Sequence, residues 1–129
     1  MTVLLTPDLW HKGQWDRKRL ALWRSHLKRA LLKERGWNCN KCGIVLTEKT
    51  GGHLHEAIVT RADIPWIVPW AWRIHSQANC MVLCIKCHMV SAPSRRDGWD
   101  YLSGLYGADV VRAWLEGLPW KRGVPYKFW

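Results

Sequence analysis

The chain has 129 residues, with 20 Lys and Arg against 10 Asp and Glu, a formal net charge of +10 and a pI near 9.8. A hydrophobic content of 48% is too high for a disordered tail, and the length holds one domain of ordinary size, not two. Eleven of the aromatic residues are Trp, beside three Tyr and one Phe. Flat rings together with this excess of cations point to a polyanionic partner, because Lys and Arg neutralise phosphate and release its counterions.

Taken in chain order, Met1 to Leu5 is apolar but is cut short by Pro7 and Asp8. That is neither a signal peptide nor, at far below the roughly 20 residues required, a membrane span. The expectation is a cytoplasmic protein with no membrane partner. From Trp15 to Arg35, Leu20, Trp23, Leu27 and Leu31 recur at spacings of three and four, which predicts a helix that Gly36 ends. The stretch Lys12 to Gly36 holds nine basic residues, including Arg17, Lys18, Arg24 and Lys28, against only Asp16 and Glu34. Residues 1–36 thus read as a basic helical segment, its charge either a solvated face or a phosphate-docking face.

Residues 37–93 hold all the cysteines. Cys39-Asn40-Lys41-Cys42 and Cys84-Ile85-Lys86-Cys87 are two C-x-x-C units separated by 41 residues. Each spacing lets a tight turn present two sulfurs to one ion, and four thiolates match a tetrahedral structural Zn²⁺. Redox use needs only one pair and a βαβ pattern that is not apparent. Cys80 reads as a small buried apolar residue. Leu54 to Val59 has strand composition after the turn signal at Gly52. Pro65 and Pro69 break regular structure between Asp63 and Gln77. Residues 94–129 carry a helix from Asp109 to Glu116 and room for a shorter one near Trp99 to Leu105. A basic, aromatic tail with Lys121 and Arg122 follows as a candidate nucleic-acid clamp. Trp23 and Trp37 are expected to pack against the zinc module, and Trp66, Trp70, Trp72, Trp120 and Trp129 to be surface rings. His11, His26 and His75 read as ordinary surface or helix residues.

Around the cysteines the zone reads C-x-x-C, then His53-Leu54-His55-Glu56, then Asn79 followed by Cys84-Ile85-Lys86-Cys87-His88. In this it resembles the HNH endonucleases, the zinc-braced branch of the ββα-metal (His-Me finger) nucleases. The resemblance covers Cys39 to Val90, and its most specific part, Asn79 to His88, is similar to the family's N-x-x-x-L-C-x-x-C-H segment. It implies a ββα-metal core in which the four cysteines hold zinc. His55 and His88 would bind a catalytic divalent ion, Mg²⁺, Mn²⁺ or Ni²⁺. Asn79 would orient the base or help hold the metal. Glu56 stands where the family usually has its general base, a His. His53 competes for that role, since strand positions two apart share a face. Arg61 is either a phosphate ligand or a solvated side chain.

The expectation is therefore a single α+β domain: a zinc-held ββα-metal core between a basic N-terminal helix and a C-terminal helical segment. The function expected is metal-dependent hydrolysis of DNA phosphodiesters, in the setting of a phage-infected or bacterial cell or a mobile element. Two rivals stand beside it: a noncatalytic zinc-dependent nucleic-acid-binding module, and a subunit of a larger nucleic-acid-processing complex.

Overall fold

The computed structural model describes residues 4–5, 17–49, 51–64, 73–118 and 120. Within these, helix α1 (Arg17–Arg35) is followed by strand β1 (His53–Glu56), strand β2 (Cys80–Leu83), helix α2 (Ile85–Met89), helix α3 (Arg95–Tyr106) and helix α4 (Ala108–Glu116). The fold is mixed α and β, with one small sheet. β1 and β2 pair antiparallel, His53 opposite Leu83 and His55 opposite Met81. None of the described helices is long and apolar enough to cross a membrane.

The two-stranded ribbon separates two apolar layers, as strand alternation requires. Cys80 and Val82 of β2, with Leu54 of β1, pack against Trp23, Leu27, Leu31 and Leu32 of α1. Met81 and Leu83 face the other way, into a core shared with Trp99, Leu102 and Tyr106 of α3 and Val111 and Leu115 of α4. The helical stripe anticipated for α1 is the one buried, and the helix ends at Arg35 before Gly36, whose φ is +92°.

Several expectations need correction. β1 stops at Glu56, short of the Val59 expected to end it, because Ile58 and Val59 turn inward to donate their N–H groups to the Asn79 side chain. α3 begins at Arg95, not near Trp99. Ser94 accepts from Asp97 N, and the Asp97 carboxylate accepts from Ser94 N, a reciprocal cap that starts the helix directly after Pro93. Trp37 is 43% exposed and not packed into the cysteine module. Trp120 is half-buried, its indole donating to Leu115 O at 2.7 Å, so it is no free surface ring. Trp66, Trp70, Trp72, Trp129, His11, Lys121 and Arg122 lie outside the described residues.

Candidate functional site

The first knuckle is a tight turn. Cys39 N donates to Ile44 O and Gly43 N to Cys39 O, while Asn38 and Val45 form an isolated bridge. It is fastened to β2 from both sides: Asn40 N donates to Val82 O, and Val82 N to Asn40 Oδ1, each at 2.8 Å. β2 runs straight into the second knuckle, where Cys84 is the N-cap of α2 and its sulfur accepts from Cys87 N at 3.5 Å. Cys39 Sγ likewise accepts from Lys41 N and Cys42 N.

The four sulfurs of Cys39, Cys42, Cys84 and Cys87 all lie within 4.8 Å of one another. Cys42 Sγ and Cys84 Sγ are 3.7 Å apart, the edge of about 3.8 Å that a tetrahedron with metal–sulfur bonds of about 2.3 Å has. No disulfide is formed. Burial raises the Cys39 thiol, but the backbone donors of Cys42, Cys84 and Lys41 outweigh it and bring the pKa down to about 6. Burial and the thiols of Cys84, Cys42 and Cys39 push Cys87 up to about 12. Four thiols this close cannot all ionise without a cation among them, and a thiophilic divalent ion is the group that fits. Cys80 is not part of this set. It is buried, pushed up to about 12 mainly by that burial, and its thiol donates to Ile74 O.

One residue past Cys87, His88 projects from α2 about 100° further round the helix, toward β1. Its ring stacks on His53, centroids 5.2 Å apart, and meets His55 edge-on at 5.5 Å. The strand periodicity expected to place His53 and His55 on one face is realised. Burial is the main cause that lowers His55, with the His88 charge adding to it and Glu56 opposing. Burial also lowers His88, with His53 adding. His88 Nδ1 is buried without a hydrogen-bond partner. Among the described residues, however, the thiols are the one group of three or more His, Cys, Asp or Glu whose ligand atoms all converge. The imidazoles are neighbours by ring contact and do not form a three-ligand cage.

Glu56 ends β1. Its Oε1 is 3.0 Å from His75 Nε2 and 3.8 Å from Arg61. Burial works against its ionisation, but the His75 hydrogen bond and charge, with Arg61 and Arg24, prevail and lower its pKa. His75, which the sequence presents as an ordinary surface residue, is only 1% exposed. Its backbone carbonyl accepts from the Trp23 indole at 2.8 Å. No local pattern signals this burial, since His75 meets Glu56 and Trp23 only through the folded chain. A cleft of about 330 Å³ is lined by Arg24, Leu54, His55, Glu56, Thr60, Arg61 and His88.

Asn79 is fully buried, and its amide is spent on backbone. Oδ1 accepts from Ile58 N and Val59 N, and Nδ2 donates to Val59 O and Ile74 O, all between 2.8 and 3.1 Å. It fixes the turn after β1 and so positions Glu56, without touching an imidazole through any of these bonds. Asn79→Ala is expected to cost about 2–4 kcal/mol, because buried backbone groups lose their partners. Asn79→Asp should cost more, since it sets an acceptor against the carbonyls of Val59 and Ile74. Urea denaturation of the two variants checks the order, and an Asp variant as stable as wild type would contradict it.

Of the basic residues predicted to meet nucleic acid, Arg24 and Arg61 border the cleft, and Lys28 lies one helical turn beyond Arg24. Arg17 and Lys18 are exposed at the start of α1 and do not border the cleft. No family model, no curated protein and no solved structure matches this chain.

Proposed function

We propose that the chain is a metal-dependent endonuclease of the HNH type that hydrolyses DNA phosphodiesters, its four cysteines holding a structural zinc in a ββα-metal core. The observation that carries this reading is the meeting of His55 and His88 at one cleft with Glu56 and Arg61, with His53 stacked on His88 beside it. That meeting occurs on a strand–strand–helix unit whose helix starts at the cysteine cluster. The unpartnered, buried His88 Nδ1 is a second support, since such an atom in a native fold calls for a ligand or a role.

In this reading His55 and His88 would hold a Mg²⁺, Mn²⁺ or Ni²⁺ ion. When bound, it supplies a positive charge to the phosphate oxygens and lowers the pKa of a coordinated water. Arg61, exposed at the rim, places a guanidinium where a phosphate enters. Glu56 has Oε1 engaged by His75 and Arg61, which leaves Oε2 to accept a proton from water. The depressed pKa of Glu56 makes it a modest base at neutral pH. His53, on the same strand face as His55, is the second acceptor in reach.

Plasmid nicking with Mg²⁺ or Mn²⁺ tests the assignment. His55→Ala and His88→Ala should each lower the rate about a hundredfold or more, with the zinc content unchanged. Cleavage that persists in His88→Ala overturns it. A second reading is favoured by one observation: the Glu56 carboxylate is tied to a buried His75, as a structural carboxylate would be. On that reading the chain is a noncatalytic zinc-dependent nucleic-acid-binding module, alone or within a larger complex. Binding of DNA with no cleavage under any divalent ion would select it.

A further inference from the structure

Two further hollows continue from the cleft at His55 and His88. One, of about 520 Å³, lies between α1 and β1 and shares Arg24 and Leu54 with the cleft. The next, of about 330 Å³, shares Lys28, Gly51 and Gly52 with it and ends at Trp37. Together the three form one groove. One wall is the α1 face carrying Arg24 and Lys28. The other is β1 along the edge that β2 does not pair, whose backbone donors and acceptors no strand among the described residues claims. The floor beside Lys28 is the pair Gly51-Gly52, which brings no side chain into the space. At Gly52 none is tolerated: a Cβ would come within 2.3 Å of Val82 Cγ1.

We propose that this groove is a track for one unpaired DNA strand, with a phosphodiester at the His55–His88 end and a base stacked on Trp37 at the other. The proposal rests on the nuclease reading for the end that reacts, and on the groove alone for the strand. Three observations favour a single strand over a duplex. The walls are packed on each other through Trp23, Leu27 and Leu54, so the space between them is a crease with a closed floor and not a cleft between separable lobes. Trp37 is 43% exposed, and a free indole stacks only on a base that is not already stacked in a helix. Arg24 and Lys28 stand one turn apart on one face, about 6 Å along the axis, a spacing that follows a single backbone. The α1 wall from Ala21 to Leu32 is about 16 Å long, room for about three phosphates of an extended strand at that spacing.

Fluorescence anisotropy with labelled oligothymidylate and with a duplex of equal length, on the zinc-loaded full chain without added Mg²⁺, measures binding apart from cleavage. Wild type should prefer the single strand. Arg24→Glu with Lys28→Glu should weaken that binding at least about tenfold and flatten its salt slope by about 1.4, about 0.7 for each phosphate no longer neutralised. Lys33→Glu with Lys86→Glu makes the same charge change at exposed positions outside the groove, and should alter affinity less than about twofold. Trp37→Ala should weaken the single strand about tenfold and leave the duplex unchanged. Equal losses in the two double variants, a preference for duplex, or no effect of Trp37→Ala would overturn the track. Loss of binding in the groove variants, from a wild type that never cleaves, would keep the track and reject the nuclease.

Discussion

Cys84→Ser is expected to abolish the cooperative unfolding transition of the chain, and prolonged chelation of wild type to do the same. Metal binding to four-ligand thiolate and imidazole sites contributes apparent free energies of about 10–16 kcal/mol, as large as the about 5–15 kcal/mol by which a domain is stable at all. The Cys84 sulfur also caps α2 through Cys87 N. Serine keeps that cap, so the variant removes a thiolate from the cluster and little else. Near-ultraviolet circular dichroism follows the Trp residues and gives the readout, with elemental analysis for zinc. Cys80→Ala is the control, since Cys80 is also a free cysteine, and a buried one, but lies outside the cluster. It should keep about one zinc per chain. A Cys84→Ser protein that melts where wild type does would exclude a structural ion at these thiols.

The second large effect is expected at Arg35, the last residue of α1. Its side chain is 2% exposed. The guanidinium donates to Asn40 Oδ1 at 3.1 Å, Cys80 O at 2.8 Å, Gln77 O at 3.1 Å and Tyr106 Oη at 2.8 Å. It also lies 5.6 Å from the ring centroids of Tyr101 and Tyr106. Tyr106 in turn donates to Glu34 Oε1, and Gln77 Nε2 donates to Glu34 Oε2 at 2.5 Å. One cation thus holds together the end of α1, the first knuckle, the approach to β2 and the end of α3. Arg35→Ala should cost about 3–5 kcal/mol, because it strands buried acceptors as well as removing the charge. Arg35→Lys should recover only part of this, a point charge being unable to span four acceptors in a plane. Lys33→Ala, exposed on the same helix, should stay within about 0.5 kcal/mol. Thermal denaturation separates these outcomes, and an Arg35→Ala protein as stable as the Lys33 variant would remove Arg35 from the framework.

What could be read from the sequence was what is local. The α1 stripe is a spacing of three and four, and each cysteine pair is a spacing of three, so neither depends on the rest of the chain. The shared face of His53 and His55 follows from strand geometry alone. What escaped depends on residues far apart meeting. Arg35 looks like one more cation on a basic helix, and only the fold brings it to Tyr106, 71 positions away. His75 has no periodic or motif signature, and its role begins when β1 carries Glu56 against it. The Asn79 amide was expected to serve a base or a metal, yet its partners are backbone groups 5, 20 and 21 residues away. The start of α3 is a different case. Ser94 and Asp97 are a local capping signal, obscured by the neighbouring Pro93 and Gly98, which suggest a loop.

Cys87 and His88 are consecutive, so their Cα atoms are only about 3.8 Å apart. The helix that carries both, α2, has five residues, too few to persist by itself in water. It keeps its place because Cys84 and Cys87 bracket it in the sulfur cluster. The Cys87 thiol and the His88 imidazole are therefore the two arms of one short lever. Whatever displaces the first arm, such as oxidation of a thiol in the cluster, is expected to displace the second with it. A spectroscopic probe placed on either arm reads the state of both.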